Sequence, residues 1–129
     1  MSVEFACALT VLLIKSAHEN SSDYNIYLEG INMKYYALEG TFREDHPTGP
    51  KLQKEIDAHL SYLQLGFNDG TILLSGPKMG TGGGIIIVKC NDIQKFCNDD
   101  PFVQAGIQEY RVTEFALHDC QDYLKRWFD

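Results

Sequence analysis

The stretch "IIIVKC" at residues 85–90 decides the fold, because its run of β-branched residues predicts a well-covered, central strand. A shorter apolar segment, "TILLS" (71–75), precedes it, and the glycine-rich loop "GPKMGTGGG" (76–84) connects the two. We therefore expect the two strands to pair as a hairpin.

A strand and a long helix precede this hairpin. The segment "MKYYALEGTF" (33–42) is rich in residues that favour strands. Pro50 suits the first turn of a helix, and "NDG" (68–70) holds the Asn and Gly that end helices, so a helix is expected over 50–68. At about 100° per residue one apolar stripe forms on this helix. The stripe comprises Leu52, Ile56, Leu60, Leu63 and Phe67.

The segments after the hairpin predict a second helix, a strand and a terminal helix. Asn91 or Asp92 would cap a short helix that ends near Asp99, and "DPFVQAG" (100–106) would form a tight turn or a single helical turn. Residues 107–117 alternate as a strand does. A final helix is expected over 118–129. Its apolar face would comprise Leu117, Cys120, Leu124, Trp127 and Phe128.

This order predicts an α+β protein. The sequence βαββαβ is the ferredoxin-like arrangement, with an antiparallel four-stranded sheet that carries helices on one face, and here it gains an extra C-terminal helix. The second face of such a sheet must also be covered. Because little chain remains to do so, we expect a homodimer with facing sheets.

Residues 1–32 are expected to be an N-terminal extension of a domain over 33–129, because regular patterning begins at Met33. Three interpretations remain open for the extension: a helix or strand that docks on the domain, a dimer arm, or a stretch upstream of an internal start. Its apolar run "FACALTVLLI" (5–14) is too short to span a membrane, which takes about 20 residues. The run also lacks the basic flank and cleavage site of a signal peptide.

Composition excludes several classes of function. The chain has 11 Lys and Arg against 18 Asp and Glu, and the net charge of −7 disfavours binding to nucleic acid. Four scattered cysteines are too few for a disulfide scaffold, so we expect reduced thiols and a cytoplasmic location. The His and Cys residues lack paired ligand spacing, which predicts no metal site. The glycine-rich loop matches neither phosphate-binding nor dinucleotide-binding motifs, and no cofactor is expected.

Several short strings, taken together, resemble the YCII-related family of small dimeric ferredoxin-like proteins. They are "MKYYALEGTF", "HLSYLQ", "LLSGP", "GGGIIIVK" and "DPFVQAGIQEYRV", and they cover about 33–117. The resemblance implies a dimeric α+β barrel with a pocket between helices and sheet. It further implies a His–Asp site, which maps to His59 and Asp100. Similar proteins include enzymes that dehydrochlorinate or isomerise aromatic-derived rings and lactones.

Two departures from the family pattern bear on that site. The segment "NDIQKFCNDD" (91–100) is shorter than the usual second helix by nearly a turn, which affects the position of Asp100 relative to His59. Residues 1–32 have no counterpart in the family. An extension of that length would cover the pocket or enlarge the dimer contact.

His59 lies at the edge of the apolar stripe and has two interpretations. A carboxylate bonded to one imidazole nitrogen fixes the tautomer and leaves the other nitrogen free to exchange a proton, which is what a His59–Asp100 pair would supply. Alternatively, His59 bonds a backbone carbonyl, and Asp100 before Pro101 only caps a helical turn.

Other residues are candidates for contact with a substrate. Ser75, Gly76 and Pro77 end the first hairpin strand, where this fold places the pocket. Tyr36 and Tyr62 offer aromatic surface and hydroxyls, although such residues also pack in cores. Glu39 would be a further acid if it faced inward.

Two functional hypotheses follow. The first is a cofactor-independent lyase or isomerase that uses a His–Asp pair on a small cyclic or aromatic-derived acid. The second is a non-catalytic dimeric module that binds a small molecule in the same cleft. A His–Asp hydrogen bond that opens onto a cavity would favour the enzyme.

Overall fold

A four-stranded antiparallel sheet forms the centre of the structure, a computed structural model that describes residues 33–129. The predicted extension over 1–32 lies outside the described residues. The elements in chain order are β1 (Lys34–Phe42), α1 (Gly49–Asn68), β2 (Ile72–Pro77), β3 (Gly84–Cys90), α2 (Ile93–Asn98), α3 (Pro101–Gln104), β4 (Gln108–Phe115), a 3₁₀ turn (Asp122–Leu124) and α4 (Lys125–Phe128).

The strand order across the sheet is β2-β3-β1-β4. β3 is therefore a central strand, as its β-branched run predicts, and it pairs with β2 as the expected hairpin and with β1 on its other side. The register places Ala37 opposite Ile87 on β3 and opposite Thr113 on β4. This connectivity and strand order confirm the ferredoxin-like α+β fold.

Helices cover one face of the sheet and enclose the core. Strand residues alternate between faces, so Tyr36 and Leu38 of β1 are buried beneath the helices. Gly66 brings α1 close to β2, because a Cβ at this position would lie 2.4 Å from Cδ1 of Ile72. The buried core cluster comprises Tyr36, Leu38, Leu63, Ile72, Ile86, Val88 and Cys97.

The two short helices begin at aspartate caps. The Asp92 side chain accepts a hydrogen bond from the Lys95 backbone N–H at 3.0 Å, and α2 follows it. The Asp100 side chain accepts from the Phe102 N–H at 2.9 Å, and α3 follows with Pro101 in its first turn. Of the two alternatives for "DPFVQAG", a tight turn or a single helical turn, the structure has the helical turn, as α3.

The C-terminal segment is less helical than its apolar spacing predicts. Instead of one helix over 118–129, helical structure is confined to the 3₁₀ turn and to α4. Aromatic anchors hold this segment instead. The Trp127 indole donates to the Gly70 carbonyl at 2.8 Å, and the Tyr35 hydroxyl donates to the Phe128 carbonyl at 2.8 Å.

A membrane span requires a helix that is both long and apolar. Within residues 33–129, no helix combines the two properties to the degree that a membrane span requires.

Candidate functional site

A cavity of about 340 Å³ lies between α1 and the sheet. Its walls are largely apolar and are formed by residues such as Phe42, Ile56, Leu60, Leu63, Ile86 and Phe102. Four polar side chains line it: His59, Ser75, Gln108 and Tyr110. This combination of apolar walls and a few polar groups is typical of small-molecule sites.

His59 and Asp100 meet at the wall of this cavity. Nδ1 of His59 lies 2.8 Å from Oδ1 and 3.0 Å from Oδ2 of Asp100. The Asp100 side chain is fully buried, whereas the His59 side chain is 13% exposed. The carboxylate is therefore shielded from water, and the imidazole is the member of the pair that reaches the cavity.

The local sequence explains how the two side chains are positioned. His59 lies at the edge of the apolar stripe of α1, and its side chain lines the cavity between this helix and the sheet. Asp100 is held in place as the N-cap of α3. Phe102, two residues further on, stacks on the imidazole with a ring-centroid distance of 4.1 Å and an interplanar angle of 6°. The cap and the stack together fix the orientation of the ring.

The hydrogen bonds around Asp100 determine the tautomer of His59. A carboxylate only accepts hydrogen bonds, so neutral His59 donates its Nδ1–H to Asp100 and carries a lone pair on Nε2. Within residues 33–129, Nε2 contacts no hydrogen-bond partner. Nε2 is thus the ring nitrogen that can exchange a proton with a bound molecule.

Tyr110 is a third member of the cluster. Its hydroxyl donates to Oδ2 of Asp100 at 2.5 Å, a short hydrogen bond. Burial raises the pKa of the Tyr110 phenol far above its ordinary value, and the negative charge of Asp100 raises it further. The phenol is therefore protonated at neutral pH and acts as a hydrogen-bond donor.

Of the five residues expected to contact a substrate, three line the cavity. Ser75, Gly76 and Pro77 do so at the end of β2. The structure places Tyr36 and Tyr62 elsewhere, because Tyr36 is buried in the core and the Tyr62 hydroxyl donates to the Phe96 carbonyl at 2.6 Å. Both tyrosines lie among the packed side chains between helices and sheet.

Glu39 does not face the cavity. It lies on the sheet face that the helices leave open, where its carboxylate is 3.4 Å from Nζ of Lys78. Its position agrees with the preference of glutamate for water.

Sequence reasoning overlooked three residues of the site: Phe102, Gln108 and Tyr110. The string "DPFVQAGIQEYRV" contains all of them, and strand periodicity places Gln108 and Tyr110 on one face of β4. That face points toward the helices, as the burial of Gln108 shows. Combining the string with the periodicity would therefore have predicted Gln108 and Tyr110 near Asp100.

Several His, Cys, Asp or Glu side chains must lie close together to hold a metal ion. Over 33–129, no three or more His, Cys, Asp or Glu side chains gather closely enough to do so. The free cysteines Cys90, Cys97 and Cys120 contribute to no such group.

Comparison with known proteins identifies the family. No curated protein matches the chain. A crystal structure from Bacteroides fragilis NCTC 9343, described as a dimeric protein of unknown function with a ferredoxin-like fold, is 17% identical. That match covers 67% of this chain and 97% of the other, with a TM-score of 0.41. The family model of the YCII-related domain matches residues 33–116, which is more than half of the chain. The chain therefore belongs to the YCII-related family.

Proposed function

We propose that the cavity binds a small cyclic or aromatic-derived acid and that His59 transfers a proton on it, as in a lyase or isomerase without a cofactor. The observation that carries this proposal is the bidentate contact between Nδ1 of His59 and the buried Asp100 carboxylate at the wall of the cavity. A general base needs an oriented lone pair within reach of the substrate. Nε2 of His59 meets that requirement.

The proposed reaction begins when Nε2 of His59 removes a proton from an acidic C–H bond of the substrate. The imidazolium that forms is stabilised by the carboxylate of Asp100, which remains ionised. In an isomerisation the proton returns to a different carbon. In an elimination the electron pair expels a leaving group, and the proton is later released to solvent.

The other cavity residues support binding of a compact, largely apolar molecule. No Lys or Arg is among the cavity-lining residues of the described chain, so His59 is the lining side chain there that can carry a positive charge. Ser75 and Gln108 offer hydrogen bonds. We therefore propose Ser75, Gly76 and Pro77 as substrate contacts opposite His59.

We also propose that the protein is a cytoplasmic homodimer in which two sheets face each other. Within residues 33–129, helices cover only one face of the sheet, whereas the other face carries apolar side chains such as Leu74, 47% exposed, and Ile85, 38% exposed. Burial of this face against a second copy would remove it from water.

A ligand screen tests the proposed function. Wild type, His59→Gln and His118→Gln would be assayed by thermal shift against small lactones, catechols, chlorinated hydroxyquinones and common metabolic acids. Each compound that stabilises the wild type would then be followed by NMR for chemical conversion. His118 is an exposed histidine outside the cavity, so its substitution is the matched control.

We expect at least one compound to bind and to be converted by wild type and His118→Gln, but not to be converted by His59→Gln. Equal conversion by all three proteins would contradict the role of His59. Binding without conversion by any of them would instead support the non-catalytic binding module.

A further inference from the structure

We propose that Tyr110 is a positioning residue that lowers the proton affinity of the His59–Asp100 pair by sharing the charge of the carboxylate. The proposal deepens the proposed function and rests on it for its biological meaning, because it concerns the same histidine. Its test, however, uses the ligand-free protein and requires no turnover.

The geometry around Asp100 supports this role. Oδ2 receives the Tyr110 hydroxyl at 2.5 Å and is 3.0 Å from Nδ1 of His59, while Oδ1 is 2.8 Å from Nδ1 and 2.9 Å from the Phe102 N–H. Three donors thus share one negative charge in a site where the carboxylate has no contact with water. Each donor weakens the pull of the carboxylate on the others.

The protein holds Tyr110 in this position from two directions. Gly40 is the direct cross-strand neighbour of Tyr110, and a Cβ on Gly40 would lie 2.5 Å from Cδ of Gln108. The absence of a side chain at Gly40 therefore makes room for the Gln108 amide. That amide is buried and acts on the Tyr110 phenol, whose pKa it lowers against the larger effects of burial and of Asp100. The pairing with Gly40 and the hydrogen bond to Asp100 together fix the phenol.

Few other titratable groups surround His59. On α1, Glu55 lies one turn before His59 and Tyr62 lies nearly one turn after it. On α2, burial raises the pKa of the Cys97 thiol to about 11, so this thiol is neutral at physiological pH. The part of the β2–β3 hairpin that lines the cavity contributes no titratable side chain. Among the described residues, Tyr110 from β4 is therefore the titratable group that is hydrogen-bonded to the His59–Asp100 pair.

Removal of the Tyr110 hydroxyl should change the proton affinity of the His59–Asp100 pair in a predictable direction. With one donor fewer, the carboxylate attracts a proton on the pair more strongly, whether that proton resides on the imidazole or on Asp100. The pair therefore gains proton affinity, and the apparent pKa of His59 rises. The pair would then hold its proton more tightly, and a protonated His59 cannot act as a base.

The test is an NMR titration of the His59 ring in wild type, Tyr110→Phe and Tyr62→Phe, with His59→Gln to assign the resonance. Tyr62→Phe is the matched control, because the charge of Asp100 also acts on the Tyr62 phenol, whereas the Tyr62 hydroxyl donates to a backbone carbonyl. We expect the apparent pKa of His59 to rise by about one pH unit in Tyr110→Phe and to stay unchanged in Tyr62→Phe.

Labelling with a fluorinated tyrosine should change the apparent pKa of His59 in the opposite direction. Replacement of all tyrosines by 3-fluorotyrosine makes each phenol a stronger donor while preserving its shape, so the apparent pKa of His59 should fall. The fall should vanish when the same labelling is applied to Tyr110→Phe. If Tyr110→Phe does not fold, the fall must instead persist when the same labelling is applied to Tyr62→Phe, which retains Tyr110 as the phenol bonded to Asp100.

An unchanged His59 pKa in Tyr110→Phe, or an equal rise in Tyr62→Phe, would overturn the proposal. An unchanged pKa on fluorination would overturn it as well. None of these results depends on a substrate. The role of Tyr110 can therefore be refuted while the proposed function of His59 stands, and the proposed function can be refuted while the role of Tyr110 stands.

Discussion

Asp100 is the residue on which the site depends most, because it serves both the helix and the histidine. Its carboxylate caps α3 through the Phe102 N–H and accepts hydrogen bonds from His59 and Tyr110, all without exposure to solvent. A buried charge is tolerated only where such partners compensate it. The hydrogen bonds that position the site therefore also stabilise the fold.

Asp100→Asn should lower the free energy of unfolding by about 1–3 kcal/mol. Asparagine keeps one oxygen for the α3 cap, but its amide group would face the Tyr110 hydroxyl or Nδ1 of His59, where the structure requires an acceptor. Urea unfolding of Asp100→Asn and of Asp99→Asn, an exposed neighbour, would measure the difference. Equal stability of wild type and Asp100→Asn would contradict the geometry described for this carboxylate.

At the scale of elements, the β2–β3 hairpin shapes one wall of the cavity. Its loop crosses β1 closely at Gly83, where φ is +95° and a Cβ would lie 1.9 Å from the Gly40 carbonyl oxygen. Gly80 in the same loop also has a positive φ, of +78°, but faces open space. Comparison of Gly83 with Gly80 therefore distinguishes the effect of a positive φ from the effect of close contact with β1.

Gly83→Ala should destabilise the protein by more than about 3 kcal/mol, because it adds a clash with backbone to the strain of a positive φ. Gly80→Ala should cost only about 1 kcal/mol, since it carries the strain alone. Denaturant unfolding of the two variants checks this difference. Similar losses of stability would show that the close contact with β1 is absent.

The elements differ in how far the sequence predicts them. The helix over 50–68 and the strand over 85–90 have strong periodic or β-branched signals, and both are confirmed within about one residue. The C-terminal helix predicted over 118–129 is observed only as the 3₁₀ turn and α4, because its apolar spacing partly reflects aromatic anchoring to the sheet rather than one long helical face. Trp127 bonds Gly70, and the ammonium of Lys89 lies 4.7 Å from the Trp127 ring.

The site was predictable only in part, because some of its residues are positioned by local signals and others by long-range strand pairing. His59 and Asp100 follow from local signals, namely a helical stripe and a cap, together with the family resemblance. Tyr110 depends on the register of β4 against β1, which pairs it with Gly40 and brings its hydroxyl to Asp100. Such a long-range register is set by the whole sheet and not by neighbouring residues.

At the scale of the whole molecule, the main surface that no described helix covers is the face of the sheet away from the helices. Leu74, Ile87, Ala37 and Thr113 form one row across the four strands on this face. The aromatic C-terminal segment packs at one end of it, through Tyr35. The proposed homodimer would cover the rest.

Ile87→Lys should convert the proposed dimer into a monomer, because it places a charge in the middle of this row. Leu65→Lys is the matched control, since Leu65 is 64% exposed on α1, which packs on the other face. Sedimentation velocity of wild type and both variants measures the masses. A monomeric wild type, or a dimeric Ile87→Lys, would contradict the dimer.

The measurement that tests the central claim most directly is hydrogen exchange between a bound compound and solvent. The compound with the largest thermal shift would be incubated in D₂O with wild type, His118→Gln or His59→Gln and followed by ¹H NMR. A general base at Nε2 of His59 predicts loss of one C–H signal with wild type and His118→Gln, and a rate at least about a hundredfold lower with His59→Gln. Equal exchange rates with His59→Gln and wild type would contradict the assignment of His59 as the base.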